Sequence, residues 1–261
     1  MTHAAFKAIQ EYKDAVAGLV ASCAPLSAEL VRLSEEASRD DTPPYGHDTP
    51  VVYNTAWDGI REEDEIKLIV VGDNPGKEEQ LASKRAYLVG QSGRVAEGFF
   101  RRNPSLGVDF RANAMITNKT PIHTAKTKHL KYLSAKGSPA VARAVRESQL
   151  EMARLTARLH QTLFAEGGTR LYVVGYAELK GRGIFLAWRD ELAKCYRPCP
   201  EAWDSVLAFQ HFSMNRFLVD LKKYMEENRE DDTARALDAL GRRHRGEIWG
   251  GQRPVTLRRW Q

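Results

Sequence analysis

Four short apolar runs punctuate the chain: 66–72 (IKLIVVG), 113–118 (NAMITN), 170–175 (RLYVVG) and 205–211 (SVLAFQH). Each is rich in β-branched or aromatic residues and bounded by turn formers. Little alternation interrupts them, which predicts strands covered on both faces, as in a parallel sheet. Between them the apolar period lengthens to that of helices. Helices are predicted over 93–102, where Ser92 offers an N-cap, and over 138–166, 178–194 and 215–228. Alternation of strand and helix implies βαβ units, hence a three-layer α/β/α fold on a central, mostly parallel four-stranded sheet.

Helical patterns also flank this core. Residues 4–20 and 27–38 read as two helices joined through Ala24-Pro25, and 40–58 (DDTPPYGHDTPVVYNTAWD) is turn-rich and expected to loop around the core. A short helix over 231–241 precedes a basic tail, 242–261. The expected organisation is an N-terminal extension, 1–60, packed on an α/β domain, 61–228, with a helix and tail, 229–261.

Charge changes the picture more than composition does. The 261 residues carry 39 Lys+Arg against 34 Asp+Glu, a net +5. Residues 1–66 alone hold 5 basic and 13 acidic side chains, a balance of −8, which leaves +13 for the rest. Eight Lys/Arg and no acid lie between Arg111 and Arg146. Clustered cations of this kind predict a polyanionic partner. No apolar run approaches the ~18–20 residues of a membrane span, and the first residues lack a signal-peptide pattern. Three cysteines make no disulfide framework. A monomeric intracellular, cytoplasmic protein is expected, nucleoid-associated if bacterial.

In an open parallel sheet, ligands bind beyond the carboxyl ends of the strands. Those ends deliver Gly72-Asp73-Asn74-Pro75-Gly76-Lys77, then Thr117-Asn118-Lys119, then Gly175-Tyr176-Ala177 without an obvious reactive group, then Gln210-His211-Phe212-Ser213-Met214-Asn215-Arg216. A carboxylate, carboxamides, an imidazole and a hydroxyl should therefore converge. A nucleotide-binding Walker loop is excluded by spacing, because three residues separate Gly72 from Gly76 and Glu78 follows Lys77.

The stretch GDNPGKEEQLASKRAYLVGQSGR (72–94), then ITN (116–118), then QHFSMNRF (210–217), resembles the uracil-DNA glycosylase superfamily in motif order and spacing. The likeness covers about residues 66–220. It implies a DNA N-glycosylase that hydrolyses the bond between sugar and a flipped uracil or related deaminated base, and no cofactor is expected. Asn74 matches the water-positioning residue of the first motif, and Asp73, one place earlier, is the alternative activator. Asn118 matches the base-reading asparagine, with Gly72, Leu88 and Tyr87 beside the base. Leu88 stands where a stacking phenylalanine is expected, and Tyr87 could substitute. His211 matches the histidine that stabilises the departing base. Phe212 replaces the usual proline of that loop while Ser213 is retained, and Phe212 or Met214 could wedge into the base stack. Ser92, Lys119, Lys126, Lys128, Lys131 and Arg216 would contact DNA phosphates.

Two other readings stay open. The same fold could bind nucleic acid or a base without cleaving it, or hydrolyse a small nucleoside or nucleotide. Cys23, Cys195 and Cys199 are one thiol short of a four-cysteine iron–sulfur site. His123 and His129 could complete a zinc set only on paper, so no metal is expected.

Overall fold

A computed structural model describes residues 1–250. The four apolar runs become β1 (Leu68–Gly72), β2 (Ala114–Asn118), β3 (Arg170–Val174) and β4 (Val206–Phe209), all parallel, in the spatial order β2-β1-β3-β4. Gly72 pairs with Asn118 in register, so two of the strand ends expected to meet do so as neighbours. The free edge of β2 is covered rather than open. Asn54 Nδ2 and Trp57 Nε1 both donate to the Ile116 carbonyl, at 3.0 and 2.9 Å.

Helices α1 (His3–Ser22) and α2 (Ser27–Ser38) precede the sheet, and α3 (Gln91–Arg102) connects β1 to β2. The return to β3 runs through α4 (His129–Lys136) and α5 (Pro139–Gly167), where the Ser138 hydroxyl caps the Val141 N–H. Beyond β3 come α6 (Leu186–Cys195), a single turn α7 (Pro200–Trp203), then β4, α8 (Arg216–Asn228) and α9 (Thr233–Trp249).

Right-handed crossovers that run in opposite directions along the sheet, β1 to β2 and then β2 back to β3, must place their helices on opposite faces. Packing agrees. On one face Phe99 of α3 meets Phe217 of α8 edge-on at 5.1 Å, and α9 lies on β4. On the other, α1 and α6 flank α5, with Arg154 Nε 2.6 Å from Glu191 and the Tyr12 hydroxyl 2.5 Å from that of Thr117. The three-layer α/β/α architecture follows.

Four local expectations are corrected. The helix expected over 178–194 begins only at Leu186, because a turn intervenes in which a Cβ on Gly183 would lie 2.1 Å from the Glu178 carbonyl. Helix α3 is capped by Gly90, leaving Ser92 inside its first turn. Helix α9 runs through the first part of the supposed tail, since Ala236, Leu237, Leu240, His244 and Ile248 keep an apolar stripe against the core. Gly241 is no helix stop; a Cβ there would sit 2.7 Å from Leu207. The rest of the tail, 251–261, lies outside the described residues. Finally, the segment His3–Ser38 does hold an 18-residue window apolar enough, at mean hydropathy 1.4, to pass for a membrane span by length and composition. Ala5, Ile9, Tyr12 and Val16 of α1 are nevertheless buried against the protein's own core.

Candidate active site

Because the connections from β1 and β3 leave toward opposite faces, a crevice opens at their carboxyl ends. The cleft there encloses about 470 Å³, and Asp73, Asn74, Asn118, Leu88 and His211 all line it. Ser92, Ser213, Met214 and Arg216 border it as well, as do Lys126 and Lys128.

Asp73 is nearly buried, and its position is imposed from three sides. Lys119 Nζ donates to Oδ1 at 2.7 Å, and the Thr127 hydroxyl donates to Oδ2 at 3.3 Å. Gly175 lies against the carboxylate at φ +96°, and a Cβ there would come within 2.1 Å of Oδ1. Only glycine tolerates both the backbone and the approach. Lys119 is fully buried and also donates to the carbonyls of Gly72 (3.2 Å) and Val174 (2.5 Å). Its three N–H groups are thus all used. Phe185 and Trp188 close over it, and this burial pulls the ammonium below its ordinary pKa, against the opposing pull of Asp73. Lys119 is therefore no phosphate contact: it is the internal counter-ion of Asp73.

Asn74 donates from Nδ2 to the Thr124 hydroxyl (2.9 Å) and to the Thr124 and Pro75 carbonyls (3.3 and 3.2 Å). Its nitrogen being engaged, Oδ1 is the atom with which it can accept from a water or hydroxyl.

Asn118 is 2% exposed, and its Nδ2 has no hydrogen-bond partner among the described residues. A buried unpaired amide costs free energy that a ligand acceptor would recover. Oδ1 faces back over Gly72, where a Cβ would stand 2.3 Å away. Gly72 is thus not itself on the cleft wall; its role is to let Asn118 approach.

The Ser213 backbone N–H donates to His211 Nδ1 at 3.0 Å, and the Ser213 hydroxyl lies 2.9 Å from the same nitrogen. A backbone N–H cannot accept, so Nδ1 is unprotonated and the proton resides on Nε2. Burial pushes the imidazole below its usual pKa, helped by Lys119 and Arg216 and opposed by Asp73. His211 is a neutral donor.

Leu88 occupies the expected stacking position at φ +50°. Its N–H donates to Glu79 Oε1 (2.9 Å) and its carbonyl accepts from Arg111 (3.0 Å). Tyr87 cannot replace it. Its hydroxyl donates to the Val52 carbonyl at 2.6 Å, its ring packs edge-on against Trp57, and it borders a different hollow. Phe212 is likewise not a wedge, being fully buried 4.8 Å from the Phe217 ring. Met214, 71% exposed at the loop apex, is the apolar side chain that faces outward; it and Asn215 both adopt left-handed backbone, φ +52° and +54°. Lys131 is turned away, donating to the Arg182 carbonyl.

Sequence reasoning missed Thr124, Thr127, Gly175 and Glu79. Glu79 lines the cleft, accepts the Gly76 and Leu88 N–H groups, and is pushed by burial up to about 7. The strand-end position of Gly175 was its available signal; the threonines carry none above ordinary loop residues. Cys23, Cys195 and Cys199 are free thiols, and among the described residues no three His, Cys, Asp or Glu side chains are grouped to hold a metal ion. His123 is engaged elsewhere, with Nδ1 2.8 Å from the Pro75 carbonyl and Nε2 3.1 Å from the Tyr45 hydroxyl.

No family model, curated protein or solved structure matches the chain at a significant level.

Proposed function

We propose that the chain is a DNA N-glycosylase acting on a uracil or related deaminated base turned out of the helix. The observation that carries this reading is the unpaired, buried Nδ2 of Asn118 in the same cleft as the Nε2–H of His211 and the Asp73–Asn74 pair. A carbonyl on the edge of a base would satisfy the Asn118 amide. Cleavage of the N-glycosidic bond leaves negative charge on the departing base and positive charge on the sugar. The neutral imidazole of His211 donates a hydrogen bond to that developing oxyanion, a contribution of about 3 kcal/mol for a preorganised donor. The Asp73 carboxylate is suited to stabilising the sugar cation and to receiving the water proton, while Asn74 Oδ1 orients the water. Similar motif order in the uracil-DNA glycosylase superfamily supports the assignment of these roles.

The test is single-turnover excision, at enzyme excess, from single- and double-stranded oligonucleotides carrying uracil, hypoxanthine or xanthine. Excision is expected from at least one, with His211→Ala and Asn118→Ala each slowing it more than tenfold while the fold persists. Absence of excision from every substrate overturns the activity, and unaltered rates in both variants overturn the residue roles.

A further inference from the structure

The acidic N-terminal portion, whose charge would repel a long polyanion, reaches the cleft. Asp41, just beyond α2, reaches the loop that forms the cleft rim. Its Oδ2 lies 2.5 Å from Lys128 Nζ and its Oδ1 3.3 Å from Lys126 Nζ, while Lys126 also donates to the Asp41 carbonyl at 2.5 Å. His129 Nε2 lies 3.1 Å from Oδ1, its ring buried and its Nδ1 without a partner among the described residues. The Lys128 ammonium, then the Thr42 hydroxyl that donates to Oδ1 at 2.8 Å, then His129 and Lys126, hold the Asp41 carboxyl well below the usual carboxylate range. One carboxylate thus sits among two ammonium groups and an imidazole N–H at the first turn of α4.

Two lysines against one carboxylate leave a surplus positive charge, and the donors converge on a small anion with several oxygens. A strand phosphodiester carries one negative charge on two non-bridging oxygens, as the carboxylate does, and can take its place on the two ammonium groups. Lys126 and Lys128 line the cleft, so an anion held here lies at its mouth. Downstream of Asp41 the segment is pinned: Gln80 accepts from the Asp48 and Thr49 N–H groups and donates to the Gly46 carbonyl, and Asp48 accepts from Ala82 N–H. Exchange therefore requires rotation of the part-exposed Asp41 side chain and release of its Thr42 hydroxyl bond, with no undocking of the arm.

We propose that Lys126, Lys128 and His129 form a phosphate subsite for a nucleic-acid strand entering the cleft, and that Asp41 is its built-in competitor. The proposal rests on the cleft receiving a nucleic acid, but on no cleavage.

The experiment measures binding of an undamaged single-stranded oligothymidylate, and separately of inorganic phosphate, to the full chain over a salt series. Asp41→Asn, with Asp41→Ser as a second variant, should tighten oligonucleotide binding about fivefold or more. The Lys126→Gln/Lys128→Gln pair should weaken it about tenfold and shallow the log–log salt slope by roughly 1.4, at about 0.7 per lysine on a single strand. Tighter binding of inorganic phosphate as well identifies an isolated phosphate as sufficient; a gain confined to the oligonucleotide identifies the strand phosphodiester. Unchanged binding in both folded Asp41 variants overturns the competitor, and unchanged binding in the lysine pair overturns the subsite. Since no excision is read, failure here is distinguishable from failure of the glycosylase activity.

Discussion

Lys119→Met tests whether the Asp73–Lys119 pair is what holds the site together. Methionine keeps much of the lysine stem's volume between Phe185 and Trp188 but removes three hydrogen bonds, to Asp73 Oδ1 and to the carbonyls of Gly72 and Val174. The carboxylate left behind is 7% exposed, with the Thr127 hydroxyl as its remaining side-chain donor among the described residues. Removing one member of a buried pair costs about 3–5 kcal/mol, mostly as the penalty of the stranded charge. For a chain of this size that is a melting shift of roughly 10 °C. Asp73→Asn should also destabilise, because it leaves the ammonium to two carbonyls. The double variant should lose less than the sum of the singles, with a coupling of about 2 kcal/mol or more. Urea unfolding of the four proteins at one pH measures all of this. Single losses below about 1 kcal/mol, or strict additivity, would falsify the assignment of Lys119 as a counter-ion.

Three further substitutions separate core from exposed surface and test the buried carboxyl. Phe212→Ala should cost about 3–5 kcal/mol as a cavity opens beside Phe217, whereas Met214→Ala should change stability by less than about 0.5 kcal/mol; thermal melts giving the reverse order would exchange their roles. Glu79, raised from 4.5 to about 7, keeps between those pH values a proton that the unfolded chain releases. Stability should therefore fall as pH rises through that window, by up to about 3 kcal/mol, and Glu79→Gln should flatten the dependence in pH-resolved unfolding.

The strands were legible to within two residues at each end because residues buried on both faces leave an unbroken apolar run. Their ends were legible too, and Asp73, Asn74, Asn118 and His211 share one cleft because parallel strands must deliver their carboxyl ends to one side. What could not be read was burial of side chains whose default is water. Lysine is ordinarily solvated, and the acceptors that bury Lys119 include carbonyls at the ends of β1 and β3, which only the strand order brings together. Tyr87 and Phe212 carry the same difficulty in reverse. An aromatic in a loop can be a stacking surface or a core residue, and the choice depends on Trp57 and Phe217, about 30 and 5 residues away. Helix α4 was hidden by its neighbours, since the lysines around it spoke more strongly of charge than of period.

Charge segregation now has a spatial meaning. Packing a −8 leader on a +13 body does not merely neutralise it, because the leader's contact at the cleft is concentrated in Asp41 at one rim. At the opposite rim Arg216 is exposed and has no ion-pair partner among the described residues, beside the outward-facing Met214. The two rims therefore differ in kind: one cation cluster is held by an internal anion, the other cation is free to meet a phosphate first. A strand approaching such a cleft engages the open rim at no electrostatic cost and must displace a carboxylate at the other. A strand that spans both rims bears the cost of displacing Asp41, whereas a nucleoside that fills the pocket alone does not. Acid at this rim therefore weighs against a long polyanion by the strength of the Asp41 contacts, and the gain in oligonucleotide binding on Asp41→Asn measures that weight.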